Sequence, residues 1–172
     1  MIAASADARP GAVALHVGSE RLSYGELAVK VRRVADGFRA LGVSRRDRVA
    51  IFLPKSFESV IAMFGASAAG AVFVPVNPVL KAAQVAHILR DSGARLLVTS
   101  GSRAATLEAE LASCSELRGI VLTDESAADQ IGSITPVGWG ALLESPPAAH
   151  TRAIDTDAGT LRHPIVNVNF IE

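Results

Sequence analysis

The chain has 172 residues, 49% of them hydrophobic, enough apolar material for one sizeable core and, at this length, for a single domain. Seventeen Lys and Arg against seventeen Asp and Glu leave no net charge; Arg33, Arg39, Arg45, Arg46 and Arg48 are interleaved with Asp36 and Asp47, not gathered in a basic block, which argues against a nucleic-acid partner. Cys114 is the single cysteine, which excludes a disulfide framework and a cysteine metal cluster and leads us to expect a reducing, cytoplasmic location.

The first fifteen residues have no basic stretch followed by a continuous apolar core, so a secretory signal is not supported. Residues 12–17 and 21–23 read as short strands separated by a Gly18-Ser19-Glu20 turn. Ser23 then begins a helix, and Glu26 three residues later completes a capping-box pattern. Leu27, Val31, Val34, Phe38 and Leu41 follow at alternating spacings of four and three, one apolar stripe, while Lys30, Arg33 and Asp36 are expected on the solvent side. Gly42 closes the helix in the left-handed conformation.

Residues 48–53, RVAIFL, are predicted to be a buried strand ended by Pro54. Ser56 caps the next helix, which passes through Val60, Ile61, Phe64 and Ala68 towards Gly70, and residues 71–74 form a second buried strand. Residues 59–80 contain no charge, and a bilayer span takes roughly 20 mostly apolar residues. However, Gly65, Ser67, Gly70, Pro75, Asn77 and Pro78 interrupt this run and divide it into a buried helix and a buried strand, so no membrane span is expected.

Residues 81–92 are again helical, with Val85, Ile88 and Leu89 apolar and Gly93 as the stop; residues 95–99 form a third strand, 104–113 a third crossover helix and 119–123 a fourth strand. This alternation predicts an α/β fold, a parallel Rossmann-like sheet with right-handed crossover helices. Beyond Thr123 the pattern weakens into a loop over residues 124–135, a short strand and helical turn over 136–143, and a Ser145-Pro146-Pro147 linker. The last fifteen residues fit no preceding rhythm; residues 165–171 alternate like a strand with no partner evident in the sequence.

The segments LSYGEL (22–27), RDRVAIFLP (46–54) and SAAGAVFVPVNP (67–78) stand in the order found in AMP-forming acyl-CoA ligases and adenylation domains. From residue 12 to 157 the chain resembles the N-terminal portion of such an enzyme, roughly its first third. The extension VNPVLKAAQVAHILRDSGARLLVTS (76–100) resembles especially the acyl-CoA ligases that accompany exosortase A systems. The resemblance implies an N-terminal α/β subdomain of the adenylate-forming ligase fold over residues 1–157 and sets residues 158–172 apart as a divergent tail, frameshifted or disordered.

The resemblance also implies a parent reaction. ATP and a carboxylic acid, with magnesium, form an acyl-adenylate and pyrophosphate; a thiol, usually coenzyme A, then takes the acyl group. The family's phosphate loop, T-S-G-[ST]-T-G-x-P-K-G, begins shortly after a stretch like residues 151–157, where this chain continues as AGTLRHP. Lys30, Lys55 and Lys81 are the only lysines, so neither the phosphate-loop lysine nor the C-terminal adenylation lysine has a counterpart. The magnesium-placing glutamate, the ribose-binding aspartate and the small mobile C-terminal domain have none either. The expectation is therefore a truncated fragment, inactive alone, with no catalytic, cofactor-binding or metal-binding residue; ATP, magnesium and coenzyme A belong to the parent family. The alternative is a stand-alone binding or assembly module that pairs, with itself or with the missing remainder, through an exposed subdomain interface.

Several residues imitate sites. Thr99-Ser100-Gly101-Ser102 copies the first letters of the phosphate loop between a strand and a helix, but Arg103-Ala104 follows where Thr-Gly belongs, and an ordinary turn with an N-cap serine is the plainer reading. Gly65-Ala66-Ser67-Ala68-Ala69-Gly70 differs from a nucleophile elbow in spacing and falls inside a predicted helix, where small residues allow close helix-to-sheet packing. His16, His87, His150 and His163 are scattered without metal or general-base spacing, His87 reading as a helix-flank residue. Cys114 has no basic neighbour and reads as a packed thiol. The Arg45 to Arg48 cluster, which could face a phosphate, reads as a solvated turn ahead of a strand.

Overall fold

Gly18, at φ 59°, reverses the chain between β1 (Val13–Val17) and β2 (Glu20–Ser23), which pair as an antiparallel hairpin. This computed structural model describes residues 2–124 and 130–144. Ahead of the hairpin lies α1 (Ile2–Ala8), an alanine-rich helix that the periodicity did not announce and that packs on the helix after β2.

That helix, α2 (Tyr24–Ala40), begins as the capping box requires: the Glu26 N–H donates to Ser23 Oγ at 3.3 Å and the Ser23 N–H donates to the Glu26 carboxylate at 2.9 Å. Leu27, Val31, Val34 and Phe38 are buried, Leu41 is half-buried at the C-cap, and Gly42 takes φ 83°. Asp36 departs from expectation. It is not solvent-facing but buried at 5% exposure, with Arg39 Nη1 at 2.8 Å. The reason is tertiary: α2 is flanked by both α3 (Phe57–Ala68) and α6 (Trp139–Glu144), and Arg39, which also donates to the Ala68 carbonyl at the end of α3, closes over the carboxylate.

The main sheet has five parallel strands in the order β4 (Val72–Pro75), β3 (Arg48–Phe52), β5 (Ala94–Thr99), β6 (Gly119–Leu122), β7 (Val137–Gly138). The connecting helices include α4 (Ala82–Ser92) and α5 (Gly101–Leu111). Alternation along β3 divides the core. Val49, Ile51 and Leu53 join residues of α2 and α3 on one face, while Ala50 and Phe52 join residues of α4 and α5 on the other. Burial on both faces is what gives these strands their unbroken apolar sequence.

The second strand was expected to be buried, and it is not. β4 occupies the sheet margin, with Val72 50% and Phe73 40% exposed, because the chain crosses back over β3 to add β5 on the other side. An apolar run does not distinguish a central strand from a marginal one, although Pro75 fits only the latter. The uncharged run of residues 59–80 resolves into α3 and β4, and among the described residues no helix is long and apolar enough to cross a membrane. The short strand and turn expected over 136–143 are β7 and α6. Within the loop expected over 124–135, Ile131 and Ile134 form an isolated bridge. The 145–147 linker, the strand-like residues 165–171, the 158–172 tail, His150 and His163 lie outside the described residues.

Candidate functional site

Open parallel sheets bind ligands beyond the carboxyl ends of their strands, where successive connections diverge to opposite sides. Here β3 leads outward to β4 while β5 leads to β6 and β7, so the divergence lies between β3 and β5. Phe52 ends one strand and Thr99 the other. Both chain segments then turn directly into capped helices.

The protein's own groups occupy this position. Thr99 is fully buried, its hydroxyl donating to the Phe52 carbonyl at 3.0 Å. The Gly101 N–H, at the start of α5, donates to both carboxylate oxygens of Asp124, at 2.9 and 3.1 Å. Asp124 arrives there because β6 pairs with β5 in register Thr99 to Leu122, which brings the residues after each strand together. Arg103, one turn into α5, lies with its guanidinium 4.7 Å from the centre of the Phe52 ring and donates to the Pro78 carbonyl at 2.8 Å. The α3 start is closed reciprocally: the Ser59 N–H donates to Ser56 Oγ at 3.2 Å and the Ser56 N–H donates to Ser59 Oγ at 3.1 Å.

Ser100 stands at the N-cap position as expected but does not cap. Its hydroxyl pairs with that of Ser102 at 3.2 Å, and Asp124 carries out the capping across the sheet. A phosphate at the α5 terminus would meet a carboxylate already bound to the helix N–H, and the guanidinium within reach is committed to Phe52 and Pro78. At this turn the Gly101 N–H and the Arg103 guanidinium are engaged by the protein's own groups.

The other imitations disperse. Ser67 is exposed within α3, its hydroxyl donating to the Met63 carbonyl at 3.1 Å. Of the small residues around it, Gly65 faces α2, where a Cβ would stand 2.5 Å from Val34 Cγ1, while Ala62, Ala66 and Ala69 share the core with Val49 and Ile51 of the sheet, as expected. His16 and His87 are exposed, on β1 and α4. Among the described residues no three His, Cys, Asp or Glu side chains gather as a metal site would require. Cys114 is buried, with Sγ 3.8 Å from the Ala86 and Glu110 carbonyls.

The arginine cluster sits at the amino ends of the strands, the opposite end from a ligand crevice. Arg45 and Arg46 are exposed, Arg46 at φ 69°, in a turn held by the Ser44 N–H donating to the Asp47 carboxylate at 2.8 Å. Arg48 is not solvated as the cluster was expected to be. Its Nε donates to the Ser92 carbonyl at 2.6 Å and its Nη2 to the Gly93 carbonyl at 2.9 Å, neutralising the C-terminal end of α4. Gly93, at φ 60°, leaves the space, since a Cβ there would lie 2.5 Å from Nη2.

Sequence reasoning did not single out Asp124 or the pairing of Arg103 with Phe52. An aspartate just after a strand carries no local signal that it caps a helix 23 residues earlier.

Residues 2–154 match the model of a family described as AMP-binding enzyme. A feruloyl-CoA synthase of an Amycolatopsis species is 40% identical over 129 residues, 75% of this chain and 26% of the relative. The N-terminal domain of FACL13 from Mycobacterium tuberculosis superposes with a TM-score of 0.68 at 29% identity, over 90% of this chain and 36% of that one. The coronafacic acid ligase of Pectobacterium brasiliense shares the fold with a TM-score of 0.78 at 21% identity, over 87% of this chain and 29% of the ligase. The chain thus spans about a quarter of the length of the first curated relatives it matches.

Proposed function

Because the chain belongs to the AMP-binding enzyme family, we propose that it is the N-terminal α/β part of an AMP-forming acyl-CoA ligase and that these 172 residues alone do not adenylate a carboxylic acid. The parent reaction is ATP-dependent activation of a carboxylic acid to an acyl-adenylate and then to an acyl-CoA, as the names of the feruloyl-CoA synthase relatives suggest for their own substrate. Within the family we place the chain with the acyl-CoA ligases that accompany exosortase A systems, on the strength of the segment at residues 76–100. The working boundaries are a subdomain at 1–157 and a separate tail at 158–172. The cytosol is the proposed location, supported by the single, unpaired Cys114.

The observation that carries the inactivity is chemical. Phosphoryl chemistry needs fixed positive charge on the transferring groups, yet Lys81 is the last lysine of the sequence and the turn that imitates a phosphate loop is filled by Asp124. No ATP, magnesium or coenzyme A is therefore assigned to this chain. ATP–pyrophosphate exchange by the purified chain tests the proposal: exchange at background across a panel of carboxylic acids is expected, and measurable turnover would overturn it. Titration calorimetry with ATP should likewise give no heat. The alternative of a non-catalytic binding or assembly module is favoured by one feature, the uncovered margin of the sheet at β4.

A further inference from the structure

A crevice of about 470 Å³ opens at the amino ends of β3, β5 and β6, the opposite end of the sheet from the divergence between β3 and β5. Leu41 and Val43 line it from the turn after α2, Ser44 and Asp47 from the approach to β3, Arg95 from β5, and Arg118 from the position before β6. The register that pairs Leu96 with Gly119 continues one step back, where the Arg118 N–H donates to the Arg95 carbonyl at 2.8 Å. Two arginines thus stand side by side on neighbouring strands, an arrangement that repels unless negative charge intervenes.

The protein answers that charge at one arginine only. Arg95 lies between Asp47, with Nε 3.9 Å from Oδ1, and Glu116, with Nη1 3.5 Å from Oε2, both longer than a normal hydrogen bond. Arg118 gives one N–H, from Nη1, to the Ser115 carbonyl at 2.9 Å and meets no carboxylate among the described residues. The end of α2 does not need these guanidinium groups, because it closes on itself: the Leu41, Gly42 and Val43 N–H groups donate to the Gly37, Arg39 and Phe38 carbonyls. The Ser44 N–H is taken by Asp47 at 2.8 Å, while the Ser44 hydroxyl has no hydrogen-bond partner among the described residues. Within the lining, two arginines against Asp47 leave one positive charge over. One charge suits a carboxylate, which a guanidinium fork matches in shape, better than the several charges of a nucleotide.

We propose that this crevice binds a small organic carboxylate, its oxygens accepting from the Arg118 guanidinium and the Ser44 hydroxyl and its apolar part lying against Leu41 and Val43. Binding here involves no adenylation, so it stands apart from the ligase reading. Amide NMR of the nitrogen-labelled full chain, titrated with benzoate, tests it. Saturable movement of the Ser44, Asp47 and Arg118 resonances is expected, with a Kd in the millimolar range, and none with benzamide, which has the same shape without the charge. Arg118→Gln should weaken benzoate about tenfold or more, as loss of a charged hydrogen bond does. Ser44→Ala, which keeps every charge, should weaken it severalfold. Arg21→Gln removes the same charge from an exposed position on the separate hairpin and should leave the Kd unchanged. Circular dichroism melts confirm that the variants fold. No saturable movement at these residues, an equal response to benzamide, or an equal loss with Arg21→Gln overturns the proposal. So does inorganic phosphate that binds the same residues more tightly than benzoate, since that gives the crevice to a multiply charged ligand.

Discussion

The Gly101 N–H donates to the Asp124 carboxylate at 2.9 and 3.1 Å, so the first turn of α5 is capped by a residue from the far end of a neighbouring strand. The pairing joins α5 to β6 and places negative charge where an incoming phosphate would need to sit. Its removal is the most direct way to separate stability from binding. Asp124→Ala should cost about 1 kcal/mol, the usual worth of an N-cap, read as a lower urea midpoint at unchanged slope. ATP should still not bind, because no lysine stands behind the turn in the sequence. ATP binding gained by this variant would mean that the carboxylate alone had blocked a working site.

Gly65 fixes how closely α2 and α3 approach. With a Cβ 2.5 Å from Val34 Cγ1 and 3.0 Å from Val34 Cβ, Gly65→Ala should destabilise by about 1–3 kcal/mol through overpacking. Combined with Val34→Ala, which vacates the clash, it should cost less than the two substitutions summed. Additive costs by urea denaturation would show that the helices slide apart freely at this crossing.

Arg48 ties the start of β3 to the end of α4 through the Ser92 and Gly93 carbonyls. Arg48→Met keeps much of the aliphatic stem but removes both charged hydrogen bonds, and a loss of about 2 kcal/mol is expected. Gly93→Ala should also destabilise, since φ 60° disfavours a side chain and the new Cβ displaces the same guanidinium. Hydrogen exchange should localise both effects to the last turn of α4, and protection unchanged there would contradict the capping role.

Glu26 supplies the pH dependence. The Ser23 backbone N–H, and after it the Ser23 hydroxyl, donate to its carboxylate and hold its pKa below the ordinary 4.5. A carboxyl depressed on folding contributes stability that is fully present above 4.5 and is lost as pH falls through the folded-state value. The difference in Tm between the native chain and Glu26→Gln should therefore be constant near neutrality and shrink as the solution is acidified below 4.5. A difference that stays constant into acid would show that the capping box owes nothing to the charge.

Local chemistry was enough to read the hairpin turn at Gly18, the Ser23–Glu26 box, the Ser56 cap, the left-handed stops at Gly42 and Gly93, and the alternation that makes the sheet parallel. Each of these depends on residues within a few positions of one another, where φ preference, cap geometry and periodicity act directly. The family segments between residues 22 and 78 were equally legible, because they are strings of letters. Strand order was not legible in that way. Whether an apolar run such as residues 71–74 is central or marginal depends on which side of β3 the chain adds its next strand, and that is decided by burial summed over the whole sheet. Packing of α2 beside α3 and α6 made Asp36 a buried residue beneath Arg39, while strand pairing turned Arg48 from a turn residue into a helix cap and delivered Asp124 to the start of α5. Sequence alone thus determined the family and the elements other than α1, since short-range forces write those into adjacent residues. Tertiary structure decided which polar groups face one another and which margin is left uncovered, since those contacts join residues far apart in the chain.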